Sequence, residues 1–235
     1  MWDYYSYSYK PRAPKDPAAQ LAKLRKKNPN IKPVIIDSKL AKTWWAQAWN
    51  RNLEGYADYS NRIGRGRSYV RSGAVLDLQI APGEVRAIVQ GSRVKPYDIT
   101  VKINPLPKAK WNAITKQCSH KIASLEELAS GKFPKEFMEL FTNRGDGLFP
   151  SPKEISFNCS CPDWASMCKH VAAVLYGIGA RFDTDPMLFF LLRDVSFAEL
   201  LKKSIDDRMQ SMLKNAGKPT QRVMEGADIK KLFGL

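Results

Sequence analysis

Three cysteines and one histidine lie within twelve residues of this chain, in the segment CSCPDWASMCKH. They are Cys159, Cys161, Cys168 and His170, and their spacing is C-x-C-x6-C-x-H. Three thiolates and one imidazole make a tetrahedral donor set that suits zinc. The segment therefore predicts one bound Zn2+ ion. The metal-free alternatives are a redox dithiol at Cys159 and Cys161 or a chance cluster of core cysteines.

The spacing of these residues also constrains the local structure. In an extended strand, residues i and i+2 point to the same side, so Cys159 and Cys161 can converge on one ion. Pro162 favours an extended conformation at Cys161. Inside a helix, Cys168 and His170 would lie about 200° apart on opposite faces. We therefore expect a knuckle, a short loop, and a helix that begins at or just before His170, where a long apolar run starts.

The predicted ligand set is closed. Four protein ligands fill a tetrahedral ion, whereas a catalytic zinc keeps one position for water. The sequence contains no phosphate-binding GxxxxGK[ST] loop and no nucleophile-elbow motif. Cys118 and His120 form a second pair that lacks two further ligands, and we expect a surface or core-edge role for it. We predict a structural zinc, no catalytic residues and no enzymatic activity.

Carboxylates on the predicted sheet are the basis of the one enzyme alternative, a nuclease. Asp77, Glu84 and Asp98 lie on or near the predicted strands. Asp77 and Asp98 alternate with apolar residues, as solvent-facing strand positions do. This pattern favours exposed side chains over a catalytic cluster.

The chain is strongly basic. It has 38 Lys and Arg against 23 Asp and Glu, a net charge of +15 and a pI of about 9.7. Such an excess is typical of nucleic-acid-binding proteins, although an acidic protein partner would also fit. Residues 62–111 carry ten basic and three acidic residues, or +7, whereas residues 151–194 carry four and five, or −1. Phosphate contacts are therefore expected upstream of the Cys/His segment.

The segment NRIGRGRSYVRSG combines arginines with two glycines, and we interpret it as a flexible loop that approaches phosphates closely. Together with the following strands, it predicts a DNA or RNA backbone interface with little sequence readout. A solvated charged face is the alternative. The predicted nucleic-acid contacts are Arg62, Arg65, Arg67, Arg71, Arg86, Arg93 and Lys95.

Apolar alternation predicts the sheet. SGAVLDLQI and EVRAIVQGS flank the turn APG, and YDITVKINPL follows, which indicates a three-stranded antiparallel meander with one buried face. A short strand at 153–159 runs into Cys159. The predicted fold class is α+β: a small antiparallel sheet at about residues 68–104 with helices, followed by a zinc knuckle–helix module and C-terminal helices.

Several helices have clear boundary signals. Asp16 and Pro17 begin a short basic helix that stops at Asn28. The segment from Ser38 to Gly55 has three tryptophans at helical spacing, and we interpret them as core anchors.

We divide the chain into four regions. They are a basic, Tyr-rich flexible arm and short helix (1–37), a basic α+β domain (38–143), the zinc module (150–194), and a C-terminal helix and tail (195–235). No apolar run reaches membrane-spanning length, and the N-terminus lacks a signal peptide's apolar segment, so a cytoplasmic location is expected.

The Cys/His spacing and the apolar helix after it resemble the SWIM zinc finger family, most closely its short bacterial members. The shared phrases are TWWAQAW, GRGRSYVRSGAV, QGSR, CSCPDWASMCKHVAAVLY and DPMLFFLLR, which span about residues 43–193. Asp194 departs from the glycine expected there. The resemblance implies zinc ligation by Cys159, Cys161, Cys168 and His170 in a bacterial cytoplasmic protein. It also implies DNA or protein binding, since family members accompany transposases, recombination factors and SWI/SNF-type helicases.

Two functions compete on these observations. The first is a nucleic-acid-binding accessory factor of a helicase or of transcription or recombination machinery. The second is a protein–protein adaptor that docks on a SWI/SNF-type helicase or RNA polymerase without touching nucleic acid. In the second case, the near-neutral finger, the aromatic arm and the C-terminal DIKKLFGL would be the docking elements.

Overall fold

The structure, a computed structural model, describes residues 13–55, 60–119, 133–135, 137–143, 145–163, 165 and 167–216. The Tyr-rich segment up to residue 12, His120 and the C-terminal tail lie outside the described residues. The described helices are α1 (Pro17–Lys27), α2 (Trp44–Glu54), α3 (Ser60–Arg71), α4 (Lys108–Ser119), α5 (Phe137–Thr142), α6 (Lys169–Thr184), α7 (Met187–Leu192) and α8 (Phe197–Asn215). None of the described helices is both long enough and apolar enough to cross a bilayer.

One antiparallel sheet lies at the centre, with strand order β1-β2-β3-β4. The strands are β1 (Val75–Ala81), β2 (Glu84–Val89), β3 (Tyr97–Ile103) and β4 (Ile155–Cys159). The α+β class is confirmed, as is the alternation of buried residues along β2 and β3. The sheet starts later than the predicted boundary of about residue 68, because the chain is helical up to Arg71. The short strand that leads into Cys159 joins the sheet as β4, which pairs with β3.

Helix α6 covers the inner face of the sheet, and α2 and α3 pack on α6. The three tryptophans of α2 are core anchors, as predicted: each indole N–H donates to a backbone carbonyl, and Trp49 is 1% exposed. Helix α2 begins after Thr43, not at Ser38. The Thr43 hydroxyl accepts from the Ala46 N–H, and Asp183 at the end of α6 accepts from Thr43.

The segment before α2 runs beside β1, which is an edge strand of the sheet, and covers its outer edge. Val34 N–H donates to Val75 O, and Leu78 N–H donates to Lys32 O. The Asp77 carboxylate accepts from the Lys32 N–H at 2.7 Å and is 8% exposed. The prediction that Asp77 faces solvent was therefore wrong, because the segment around Lys32 covers this position of β1. Asp98 is exposed, as predicted.

Helix α7 ends in a Schellman motif. Val195 N–H donates to Phe190 O and Asp194 N–H donates to Leu191 O, while Asp194 has a φ of 53°. This left-handed position normally favours glycine. Asp194, where glycine was expected from the family resemblance, therefore occupies the position at which glycine fits the backbone best.

Candidate metal centre

The four predicted ligands converge at one edge of the sheet. One donor atom from each of Cys159, Cys161, Cys168 and His170 can be chosen so that all four lie within 4.8 Å of one another. Cys159 is the last residue of β4, Cys168 is the N-cap of α6, and His170 is the second residue of α6. These four residues could hold a metal ion.

The sheet positions the first pair of thiols. Cys159 is in register with Ile99 of β3, whose side chain is buried on the inner face that α6 covers. Pairing continues one residue further: Ser160 N–H donates to Asp98 O at 3.0 Å, and Asp98 N–H donates to Ser160 Oγ at 3.0 Å. Ser160 thus holds the turn between Cys159 and Cys161.

A carboxylate holds the loop after Cys161. Asp163 accepts from the Ala165 N–H at 3.2 Å through one oxygen and pairs with the Arg62 guanidinium at 2.7 Å through the other. Arg62 lies on α3, so this ion pair joins the knuckle to a helix of the core. The sequence analysis did not identify the supporting roles of Asp163 and Ser160, and it predicted Arg62 as a nucleic-acid contact.

The helix mouth positions the second pair of ligands. Cys168 has extended backbone angles, and α6 starts at the next residue, as the spacing predicted. Cys168 Sγ lies 3.6 Å and Cys159 Sγ 4.0 Å from His170 Nδ1. Nδ1 is therefore the ring nitrogen that faces the thiols. Cys168 and His170 are 1% and 4% exposed, which leaves little access for solvent on this side.

Two tyrosines and a glycine fix the imidazole ring. The ring centroids of Tyr97 and Tyr69 lie 4.7 Å and 5.4 Å from that of His170. A Cβ atom on Gly91 would lie 3.1 Å from His170 Nε2 and 2.3 Å from the Tyr97 ring. Gly91 thus lets the backbone of the β2–β3 loop (residues 90–96) pack against the ligand ring. Nε2 itself is buried and has no hydrogen-bond partner within the described chain.

Hydrogen bonds and burial shift the pKa values of the three thiols. The pKa of Cys168 lies below its ordinary range because the Cys159 thiol hydrogen-bonds to it, and because His170 and the Val171 N–H also stabilise its thiolate. The same hydrogen bond, with burial, raises the pKa of Cys159, and burial raises the pKa of Cys161. Because metals bind thiolates, a metal ion bound here would displace protons from the site.

The structure corrects the prediction that NRIGRGRSYVRSG is a loop. Residues Ser60–Arg71 form α3, which packs closely along α6. A Cβ atom on Gly66 would lie 2.5 Å from the Cβ atom of Ala172, so this glycine allows two helices to approach instead of flexing a loop. Ile63, Gly66 and Val70 are buried at helical spacing, and this period in the sequence could have revealed the helix.

The predicted nucleic-acid contacts do not form one free surface. Arg62 pairs with Asp163, Arg67 pairs with Glu54 at 2.6 Å and donates to the Tyr176 hydroxyl, and Arg86 pairs with Glu84. The other predicted contacts lie elsewhere: Arg65 and Arg71 on α3, and Arg93 and Lys95 in the β2–β3 loop, exposed.

Comparison with known proteins gives one relative and no family. The chain is 38% identical over 172 residues to "Uncharacterized protein Rv2102" of Mycobacterium tuberculosis. The match covers 73% of this chain and 62% of the relative, so the chain spans less than two thirds of the relative's length. No family model matches the chain. No solved structure matches it.

Proposed function

We propose that this chain is a SWIM-type zinc protein that acts as a nucleic-acid-binding accessory factor in the bacterial cytoplasm. It would serve a helicase or the transcription or recombination machinery. One observation carries the proposal: the Cys/His donors form a closed set, with Cys168 and His170 buried, on a chain whose net charge is +15. A closed set leaves no ligand position for a substrate, so function is assigned to the basic surface.

The donor set fits zinc. With Zn–S of about 2.3 Å and Zn–N of about 2.0 Å, tetrahedral angles require a sulfur–nitrogen distance of about 3.5 Å. The observed distances from His170 Nδ1 are 3.6 Å to Cys168 Sγ and 4.0 Å to Cys159 Sγ. Zinc held by these residues would supply folding free energy and no reaction chemistry.

The SWIM assignment is supported by the arrangement around the donors. The C-x-C pair sits at the end of a strand, and the C-x-H pair sits at the start of an apolar helix. This is the arrangement that the spacing required.

Nucleic-acid binding is tested by salt titration. Fluorescence anisotropy with labelled DNA and RNA oligomers should give affinities that fall steeply as salt rises, since each neutralised phosphate contributes a slope of about −0.9 for duplex DNA. Binding that is weak even at low salt, or that does not respond to salt, would contradict the proposal.

An apolar stripe on α8 supports the adaptor as a second candidate. Ile205, Met209, Met212 and Leu213 recur at helical spacing and are 45% to 70% exposed. Exposed apolar stripes of this kind suit a partner helix or groove. Recovery of a helicase or RNA polymerase in pull-downs after nuclease treatment, lost when Met209 and Met212 are changed to Ser, would favour the adaptor.

A further inference from the structure

Two basic segments that are distant in sequence lie side by side. Lys15 N–H donates to Gly91 O at 2.8 Å, and the Gln20 side chain donates to Val94 O at 2.7 Å. These bonds join the start of α1 to the β2–β3 loop. Lys23 is three residues after Gln20, so it lies on the same side of α1 as the loop contact.

The cations of these two segments are not neutralised. Residues 13–30 carry five basic residues and one acid, Asp16, whose carboxylate caps α1 by accepting from the Ala19 N–H at 3.1 Å. The β2–β3 loop carries two basic residues and no acid. All seven cations are exposed, and no carboxylate in the described ranges forms an ion pair with them. They are Lys15, Lys23, Arg25, Lys26, Lys27, Arg93 and Lys95.

We propose that six of these residues, all except Arg25, form one surface, the α1–loop surface, and bind the phosphodiester backbone of nucleic acid. Arg25 is two residues after Lys23, so it lies on the opposite side of α1. The inference rests on the proposed function and locates its binding site. Helix α1 has eleven residues and is about 16 Å long, so its cations can reach several successive phosphates. Arg93 and Lys95 were predicted as contacts; Lys15, Lys23, Lys26 and Lys27 were not.

The composition of the α1–loop surface favours nucleic acid over an acidic protein. Protein interfaces depend on buried apolar or aromatic anchors. Within residues 13–30 and 90–96, Val94 is the one large hydrophobic residue that is exposed, at 65%. Phosphate contacts need only accessible cations, which this surface has.

The candidate metal centre supports the loop half of this surface. Gly91 packs on the ring of His170, as described above. Gln90 is fully buried, and its side-chain amide donates to Gly91 O at 2.9 Å and to Arg93 O at 2.6 Å. The imidazole of His170 and the side chain of Gln90 therefore fix the loop backbone that presents Arg93 and Lys95.

The test compares two triple variants of the full chain with the same change in charge. K23Q/R93Q/K95Q removes cations from the α1–loop surface, and K153Q/K202Q/K214Q removes exposed cations elsewhere. Affinity for a labelled 25-base-pair DNA duplex and for an RNA of the same length is measured from low to moderate salt. Thermal melting checks that both variants remain folded.

We expect the first variant to lose at least about tenfold in affinity and to reduce the salt slope by about 2 to 3, while the second stays within about threefold of the parent. Equal losses in both variants, or parent-like binding by the first, would overturn the α1–loop surface and leave the proposed function standing. No salt-dependent binding by the parent chain would overturn the proposed function and this surface together.

Discussion

Cys168 has two structural roles, since it caps α6 and faces the other three donors of the candidate metal centre. Changing it to serine removes a thiolate and unmakes the predicted site. We expect Cys168→Ser to lose bound zinc and several kcal/mol of folding free energy, because metal binding in such sites is part of folding. Metal content by mass spectrometry and denaturant unfolding measure both effects.

Cys118 provides the matched control, because it is fully buried in α4 and is not among the four clustered donors. Cys118→Ser should retain one zinc per chain. If Cys168→Ser kept full stability, and a chelator left the fold of the parent intact, the structural role of the metal would be wrong.

Arg193 is a buried cation whose charge is compensated by the carboxylate of Glu154. It is 2% exposed, and its guanidinium pairs with Glu154 at 2.7 Å. Burial alone would raise the pKa of Glu154, but hydrogen bonds from Ser151 and Arg193 outweigh it and hold the pKa below its ordinary value. Glu154→Gln leaves the buried cation uncompensated, and we expect it to cost about 2–4 kcal/mol.

The pH dependence follows from the direction of this shift. A lowered pKa contributes stability that is present above the ordinary carboxyl pKa and is lost as the pH falls through the folded-state value. The parent should therefore lose stability in acid more steeply than Glu154→Gln. Glu84→Gln should cost less than about 1 kcal/mol, because its partner Arg86 has a side chain that is 79% exposed, whereas that of Arg193 is 2% exposed. Equal costs for the two variants, or parallel pH profiles for parent and Glu154→Gln, would contradict this account.

At the scale of elements, substitutions at the two glycines of α3 test how this helix packs against α6. Gly66 lies against α6, where a Cβ atom would be 2.5 Å from that of Ala172, whereas nothing lies within 4 Å of a Cβ atom on Gly64. Gly66→Ala should cost about 1–3 kcal/mol by overpacking. Gly64→Ala should stabilise the protein by up to about 1 kcal/mol, because alanine is the better helix former. Thermal unfolding would contradict the packing if both variants shifted in the same direction.

The end of α7 offers a stabilising change. Asp194 has a φ of 53° in the Schellman motif, a conformation that is unfavourable for most L-residues. We expect Asp194→Gly to be more stable than Asp194→Ala by about 1 kcal/mol in chemical denaturation. The two variants remove the same carboxylate, so the comparison isolates the backbone. Equal stability would indicate that the left-handed conformation does not form.

Elements with a strong local signal were predictable from the sequence. Asp16 and Pro17 mark the start of α1, and the requirement that Cys168 and His170 share an ion places the start of α6. The misread elements depend on distant contacts. Gly66 is a packing glycine only because α6 lies on it, and Asp77 is buried only because Lys32 donates to it.

The same distinction applies to the site. Spacing alone identified the four donors, because metal geometry restricts which residues can converge. Spacing could not show that Arg62 and Arg67 pair with carboxylates, since Asp163 and Glu54 are remote in sequence. Nor could it show that α1 lies beside the β2–β3 loop.

On the scale of the whole molecule, we propose separate tasks for the candidate metal centre and the basic surface. The segment with the donors has a net charge of −1, from four basic and five acidic residues in 151–194. The α1–loop surface carries six cations, and Gly91 connects it to the ring of His170. The proposed zinc would therefore stabilise the β2–β3 loop without touching nucleic acid.

The most direct test of the central claim is X-ray absorption at the zinc edge on the purified full chain. The account predicts one zinc per chain, bound by three sulfur atoms at about 2.3 Å and one nitrogen atom at about 2.0 Å, with no water ligand. A natively folded chain that holds no zinc, or a zinc with an open or water-filled position, would contradict it.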